Sequence, residues 1–221
     1  MDKIIRFCKS MDIVLPSYDL SKEEIENIIM KVPKYAYEYA LRFKPHRWPE
    51  AEEYIMKDPE YAYKYSWYII HGRWIEAEQY IMKDMVSAFR YTRDILQERW
   101  YDAEPYILQD PEYAFLYAVY IVKERCKEVE DVVMKDPEFA YKYTIDFIKQ
   151  RWYDAEPYIL TDSHYAWLYA RCIIKGRWEE WNEDCMNQNK YANLYVKDFY
   201  GENETLKNIR MRRDISKLLV F

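Results

Sequence analysis

The residues best suited to chemistry recur as a cluster of an arginine, a tryptophan and two carboxylates. Arg47, Trp48, Glu50 and Glu52 form it once, and equivalents return at intervals of 26 residues. An arginine beside two carboxylates could bind an anion or carry out acid–base chemistry. A catalytic centre is needed only once, whereas this cluster appears in nearly every copy. We therefore favour a structural interpretation, in which the arginine satisfies helix C-terminal carbonyls and pairs with the following carboxylate.

Two series of residues define the repeat. Arg-Trp recurs at 47–48, 73–74, 99–100, 151–152 and 177–178, and Arg125-Cys126 fills the gap. In a second series, an alanine is followed three residues later by a tyrosine. The alanines are Ala36, Ala62, Ala88, Ala114, Ala140, Ala166 and Ala192, and the tyrosines are Tyr39, Tyr65, Tyr91, Tyr117, Tyr143, Tyr169 and Tyr195. Repeats one to seven start at 21, 47, 73, 99, 125, 151 and 177. Seven copies without an insertion require turns of fixed length.

Each repeat is predicted to contain two helices. The longer helix opens with an Asp-Pro-Glu sequence at 58–60, 110–112 and 136–138, where Asp caps free N–H groups and Pro suits the first helical position. The shorter helix follows Arg-Trp and spans about two turns, with Pro105 and Pro157 in its first turn in repeats four and six. The longer helix is apolar around most of its circumference, so it must be flanked on both sides.

These patterns predict an all-α fold, specifically an α-solenoid of seven 26-residue helix-turn-helix repeats over residues 21–202. Residues 1–20 are expected to cap the N-terminal end. Residues 203–221 are expected to form a basic capping helix or arm at the other end. The recurring tyrosines are expected to form a ladder of rings inside the stack, with their hydroxyls bonded there.

Composition narrows the function classes. The net charge of −6 gives no general attraction for phosphate, so binding to nucleic acid is disfavoured. No run of apolar residues is long enough to cross a membrane, and no cleavable leader opens the chain, which predicts a cytoplasmic protein. The cysteines and histidines show no ligand spacing, and the isolated glycines form no phosphate-binding loop, so we expect neither a metal nor a cofactor.

A family resemblance rests on the repeat motif itself. The pattern Asp-Pro-Glu-Tyr-Ala-Tyr-x-Tyr-Ala, followed by Arg-Trp-x-Glu-Ala-Glu-x-Tyr-Ile, resembles the short α-helical repeats of uncharacterised proteins from tailed bacteriophages. The resemblance covers roughly residues 21–200, with departures in repeats three, five and seven. It implies a phage protein acting in the bacterial cytoplasm, and it implies no activity.

Positions that stacking does not require are the candidates for binding a partner. In repeats two, four and six, Tyr68, Leu116, Tyr120 and Leu168 replace charged residues of the longer helix's polar stripe. Apolar side chains that face outward would suit a docking surface for a protein or for a second copy of the chain. Residues 99–108 and 151–160 are identical, however, so a 52-residue duplication could also explain them. Neighbouring long side chains could also cover these residues.

The C-terminal tail is the second candidate. It is basic and amphipathic inside an acidic protein, with Arg210, Arg212 and Arg213 interleaved with apolar residues. A capping helix is the interpretation we favour, and an arm that contacts a partner or nucleic acid is the alternative.

The sequence therefore predicts a non-catalytic protein-interaction module, which would block or scaffold a host protein if the phage resemblance holds. An acidic surface that mimics nucleic acid would be one form of this. The alternative is a protein that sequesters a nucleotide or signalling molecule in an aromatic groove. No unique set of polar groups favours an enzyme.

Overall fold

The computed structural model describes residues 1–17, 19–181 and 190–201, and this part of the chain is all-helical, without a β-strand. The chain divides into two compact bodies. The N-terminal body comprises Met1–Gln109 with Tyr120–Val122, and the C-terminal body comprises Asp110–Val119 with Lys123–Phe221. The predicted all-α class is therefore confirmed. The tail residues Arg210, Arg212 and Arg213 lie outside the described residues.

Short and long helices alternate along the chain after a first helix, α1 (Asp2–Ser10). The short helices are α2 (Lys22–Ile29), α4 (Pro49–Ile55), α6 (Ile75–Ile81), α8 (Glu104–Ile107), α10 (Lys127–Val133) and α12 (Glu156–Ile159). The long helices are α3 (Pro33–Phe43), α5 (Pro59–Tyr65), α7 (Met85–Tyr91), α9 (Pro111–Tyr117), α11 (Pro137–Tyr143), α13 (Ser163–Tyr169) and α14 (Lys190–Tyr200).

The predicted start signals of the long helices are confirmed. The carboxylate of Asp58 accepts hydrogen bonds from two backbone N–H groups of α5, and Pro59 occupies its first turn. Asp110 and Asp136 cap α9 and α11 in the same way. The cap satisfies N–H groups that have no partner inside the helix.

Proline also sets the length of two short helices. Pro105 and Pro157 lie in the first turn of α8 and α12, which have four residues each, whereas α4, α6 and α10 have seven. Proline has no N–H to bond to the carbonyl four residues earlier, so the α-helix can begin only at this point. A turn over residues 101–103 or 153–155 precedes it.

The long helices of repeats two to six end in a form that the sequence pattern did not predict. Each continues into a π-helical segment: Ser66–Ile70, Thr92–Leu96, Ala118–Val122, Thr144–Ile148 and Ala170–Ile174. The next residue is left-handed in every case, with φ of 57–60° at His71, Gln97, Lys123, Lys149 and Lys175. In repeat five, the N–H of Lys149 bonds to the carbonyl of Thr144, five residues back, at 2.7 Å. This bond closes the wide turn.

The long helix of repeat one ends differently because a proline occupies the position that is left-handed in repeats two to six. Pro45 is 26 residues before His71, and its ring holds φ near −65°, so it cannot adopt the left-handed conformation. The preceding residue, Lys44, is extended with ψ of 127°, as proline favours. Helix α3 consequently stays α-helical to Phe43, and the N–H of Lys44 bonds to the carbonyl of Ala40.

Within each body, consecutive long helices pack directly on one another. In the N-terminal body α5 contacts both α3 and α7, and in the C-terminal body α11 contacts both α9 and α13. The alanine of the repeat motif is fully buried at every position from Ala36 to Ala192, as is the tyrosine three residues later. A small alanine lets neighbouring backbones approach, and the tyrosine fills the space beside it. At the N-terminal end, Phe7 of α1 packs edge-on against Tyr39 and Phe43.

Candidate functional site

The conspicuous repeat residues form an internal polar network. In repeat two, the guanidinium of Arg47 donates two hydrogen bonds, of 2.8 and 2.6 Å, to the carboxylate of Glu52. The hydroxyl of Tyr65 donates to Glu52 at 3.1 Å and accepts from the backbone N–H of Trp48 at 2.6 Å. The network thus ties the start of the short helix to the long helix that follows it.

The same network recurs in other repeats. Arg73 and Glu78, Arg99 and Glu104, Arg125 and Glu130, and Arg151 and Glu156 form two hydrogen bonds in each pair. The backbone N–H groups of Trp74, Cys126 and Trp152 donate to the hydroxyls of Tyr91, Tyr143 and Tyr169. Two-point pairing of this kind fixes the geometry of both side chains.

Ionisation follows from this arrangement. Burial raises the pKa of Tyr143 to about 12, so its hydroxyl stays protonated and able to donate. The hydrogen bonds to Glu52 raise the pKa of Arg47 above its ordinary value. A guanidinium that cannot release its proton, engaged by a carboxylate, fixes that carboxylate in place and is unsuited to proton transfer.

The two terminal repeats vary the network. In repeat one, Glu26 accepts from the hydroxyl of Tyr39 at 2.8 Å and pairs with Lys44 at 3.0 Å. In repeat seven, Arg177 donates to the carbonyl of Phe199 at 3.0 Å, which is the role at helix C-terminal carbonyls that the sequence suggested for the arginines. Arginines 47, 73, 99, 125 and 151 instead use the second carboxylate of the motif.

The hydroxyls of these tyrosines are bonded internally, but their rings pack on tryptophan. Five of the seven rings contact the tryptophan that opens the next repeat, with centroids 5.1–5.6 Å apart: Tyr39–Trp48, Tyr65–Trp74, Tyr91–Trp100, Tyr143–Trp152 and Tyr169–Trp178. The predicted tyrosine ladder is thus a set of tyrosine–tryptophan pairs. Cys126, in the tryptophan position of repeat five, is buried and provides no ring.

The polar stripe of the long helices, to which Tyr68 and Tyr120 belong, contacts the preceding repeat. Residues 31 positions apart meet across consecutive repeats: the hydroxyl of Tyr63 donates to Asp94 at 2.7 Å, and Trp167 Nε1 donates to Asp198 at 2.9 Å. Phe89 and Tyr120 are also 31 positions apart, and they make an aromatic contact instead of a hydrogen bond, with ring centroids 6.4 Å apart. The aromatic replacement in repeat four therefore matches an apolar neighbour.

The structure separates the predicted docking residues by exposure. Tyr68 and Tyr120 are 52% and 50% exposed, whereas Leu116 and Leu168 are partly buried. Changing either leucine to lysine would therefore disturb packing as well as the surface. Tyr68 also approaches Tyr37, whose pKa is raised to about 12, mainly by burial and partly by the charges of Glu38 and Tyr68.

Tyr68 lies in a groove of the N-terminal body, which we call the aromatic groove. It has a volume of about 490 Å³ and is lined by Trp67, Tyr68, His71, Gly72, Asp94, Ile95 and Gln97. These residues belong to the π-helical ends of repeats two and three and to the residues just beyond them. The wall carboxylate, Asp94, is held by Tyr63 and by two hydrogen bonds from Arg93, of 2.6 and 3.0 Å. Burial raises the pKa of Asp94, but these bonds outweigh it and leave the pKa below its ordinary value.

A second cavity of about 500 Å³ lies at the N-terminal end, among α1, the following loop and α2. Its walls are mainly apolar and include Ile5, Ile13, Leu15 and Ile25, with Cys8 beside them. Burial raises the pKa of the Cys8 thiol, which makes it a poor nucleophile. The loop also contains Tyr18, outside the described residues, so we assign no site there.

Sequence reasoning missed the most exposed large hydrophobic residues of the repeats. Ile75, Tyr101 and Tyr153 directly follow the tryptophan of the recurring Arg-Trp pair in repeats three, four and six, and each is 68% exposed. The signal available in the sequence was variation, because this position holds Pro49, Ile75, Tyr101, Lys127, Tyr153 and Glu179 in turn. A position that stacking required would be restricted to one kind of side chain.

Among the described residues, the remaining histidines and cysteines do not form a metal or catalytic centre. In the described part of the chain, no three His, Cys, Asp or Glu side chains are placed to hold a metal ion. Cys172 is exposed, and its thiol contacts the hydroxyl of Tyr141. His164 stacks on Tyr191 with ring centroids 4.3 Å apart. Over the same residues, no helix is both long enough and apolar enough to span a bilayer.

Comparison with known proteins adds no relative: no protein-family model, curated protein or solved structure matches this chain.

Proposed function

We propose that the chain is a non-catalytic protein-interaction module, built as an α-solenoid of seven 26-residue repeats with terminal caps. Two observations support this architecture. The same arginine–glutamate–tyrosine network recurs at the 26-residue spacing in both bodies, and consecutive long helices pack on each other within each body. Stacked helix pairs of this kind offer a surface suited to binding another protein.

The observation that carries the binding function is the exposure of aromatic side chains in the aromatic groove. The polar groups that recur are bonded internally, whereas Trp67 and Tyr68 are 42% and 52% exposed on the groove wall. Tryptophan and tyrosine are the residues that most often dominate binding energy at protein interfaces. Two of them beside a groove would accept an apolar side chain of a partner.

The kind of partner follows from the resemblance to phage repeat proteins. A phage protein of this build would act in the bacterial cytoplasm on a host protein, by blocking one of its surfaces or by holding two proteins together. Self-association through the same groove is the competing use of the surface.

A capture experiment with paired variants tests this function. The tagged protein is incubated with bacterial lysate, and the bound proteins are compared with those captured by a Trp67→Lys/Tyr68→Lys variant. The double variant should lose a host protein that the unmodified chain retains. Ile75→Lys is the matched control, because Ile75 is also highly exposed but lies outside the groove. An unchanged set of captured proteins in the double variant would remove the groove from consideration.

A second function is supported by the size and lining of the same groove. A volume of about 490 Å³ suits a small molecule, and the lining combines two rings with His71, Asp94 and Gln97. Thermal melting against a panel of nucleotides tests this alternative, since a ligand at 100 times its dissociation constant adds about 2.7 kcal/mol of stability. The stabilisation should disappear in Trp67→Ala. No shift with any compound would count against a nucleotide.

A further inference from the structure

Two exposed tyrosines are held in the same way by the same ten-residue sequence. The guanidinium carbon of Arg99 lies 4.8 Å from the ring centroid of Tyr101, and Arg151 lies 4.8 Å from that of Tyr153. Each arginine is also fixed by two hydrogen bonds to a glutamate, Glu104 or Glu156. Both rings are thus held in place while 68% exposed. We call Tyr101 with Asp102, and Tyr153 with Asp154, the tyrosine patches.

The rings of Tyr101 and Tyr153 each cover an arginine, Arg99 or Arg151, with one face. The side chains of Arg99 and Arg151 are 28% and 30% exposed. The arginines of repeats two, three and five, which lack this tyrosine, are 48–54% exposed. One face of each tyrosine therefore lies against its own arginine, and the opposite face is open to a partner.

The residues of the patches have been retained while their surroundings diverged. Residues 99–108 and 151–160 are identical at all ten positions, but only eight of the next sixteen match between 109–124 and 161–176. Exposed positions beyond the identical segment have changed, such as Gln109 to Thr161 and Tyr120 to Cys172. Tyr101 and Asp102 are both exposed, so burial in the core does not account for their match with Tyr153 and Asp154.

The chemistry of the patches favours a cation. An exposed tyrosine face attracts a guanidinium or ammonium group, and the adjacent carboxylate of Asp102 or Asp154 can pair with it. Arg99 on the far face does not oppose this strongly, because Glu104 compensates its charge. The net charge of −6 would draw a basic segment toward the chain.

We propose that the two tyrosine patches are sites of one kind, each for an arginine side chain in a basic segment of a protein partner. A guanidinium would stack on the open ring face and pair with the aspartate. Each of the two bodies carries one copy of the site, so each can bind a basic segment by itself. This inference rests on the proposed protein-binding function and names the chemistry of the partner.

The test uses the full chain with ¹³C-labelled tyrosine rings and a hexa-arginine peptide with blocked ends. Loss of signals in Tyr101→Ser and Tyr153→Ser assigns the two rings. Titration with the peptide should shift these two signals and leave those of Tyr68 and Tyr120 in place. A hexa-citrulline peptide, which has the same shape without charge, should shift none. Uniform shifts of all exposed tyrosines, or none at Tyr101 and Tyr153, would overturn the proposal.

The duplicated site supplies its own control. Asp102→Asn should weaken the peptide's effect on Tyr101 at least threefold and leave that on Tyr153 unchanged, and Asp154→Asn should do the reverse. An equal response in both variants would overturn the pairing with aspartate. Shifts of the same rings on raising the protein concentration alone would identify a second copy as the occupant, and shifts with a DNA oligonucleotide would identify nucleic acid. Either result would overturn the assignment of the patches to a basic segment.

Failure of the tyrosine patches as a site can be distinguished from failure of the protein-binding function. If the peptide shifts neither ring while lysate capture still depends on Trp67 and Tyr68, only the tyrosine patches are lost as a site. If capture fails as well, the protein-binding function itself is lost.

Discussion

Repeat one and repeats two to six build the same pair of helices but end the long helix differently. In repeats two to six a π-helical turn closes on a left-handed residue, and in repeat one Pro45 keeps the helix in the α form. The polar network changes with it: Glu26 pairs with Lys44, where the other repeats use an arginine. The comparison shows that one residue type at one position decides the end of the helix, while the helix pair itself is unaffected.

Moving the proline into a later repeat should have the largest effect. Lys149→Pro cannot adopt the observed φ of 59° and removes the N–H that bonds to Thr144 at 2.7 Å. We expect a loss of about 3 kcal/mol in the free energy of unfolding, measured by urea denaturation. Lys149→Ala, which keeps the N–H, is the control and should change stability by less than about 0.5 kcal/mol. Equal stability of the two variants would mean that the left-handed residue does not fix the turn.

Removing the tyrosine hydroxyl should distinguish repeat one from repeat two. Tyr65→Phe leaves the buried N–H of Trp48 without its acceptor and removes a bond to Glu52, which should cost about 1–3 kcal/mol. Tyr39→Phe removes only the bond to Glu26, with an expected loss of about 1 kcal/mol. Chemical denaturation of both variants provides the measurement. A larger loss for Tyr39→Phe would contradict the proposed order.

Repeat one should also respond to pH through its own carboxylate. Burial raises the pKa of Glu26, but hydrogen bonds from Lys44 and Tyr39 and the charges of Lys44 and Lys22 outweigh it, and the pKa falls below its ordinary value of 4.5. A lowered pKa stabilises the fold above the unfolded value and loses that contribution as the pH falls through the folded value. Glu26→Gln should therefore lose roughly 1 kcal/mol at pH 7 and progressively less as the pH falls below 4.5. Denaturation across this pH range tests this, and a loss that does not change with pH would exclude an ionic contribution.

The smallest expected effect is a gain in stability at the left-handed position. Lys149→Gly removes the steric cost of a side chain at positive φ and adds some chain entropy to the unfolded state, for a net gain of roughly 0.5 kcal/mol. The same change at Lys44, which is extended in repeat one, should not stabilise the protein. The two melting temperatures give the comparison. A loss at both positions would mean that the lysine side chain contributes more than its conformation costs.

The sequence predicted the helix starts well and the helix ends poorly. Asp58 and Pro59 act locally, through a cap and a fixed φ, so their effect can be inferred from neighbouring residues alone. The π-helical ends carry no such signal, because His71 and Lys149 do not resemble the glycine that usually occupies a left-handed position. The aromatic groove depends on these ends, and sequence reasoning reached only Tyr68 among its residues.

By itself the sequence determined the 26-residue period, the alternation of short and long helices and the burial of the recurring alanine and tyrosine. These properties follow from side-chain type and helical spacing, which act over a few residues. The tertiary structure decided which carboxylate each arginine uses, that Tyr120 faces Phe89, and that Tyr101 and Tyr153 remain on the surface. Such choices depend on contacts between helices that are far apart in the sequence, and a repeat pattern fixes the spacing of residues without fixing their neighbours.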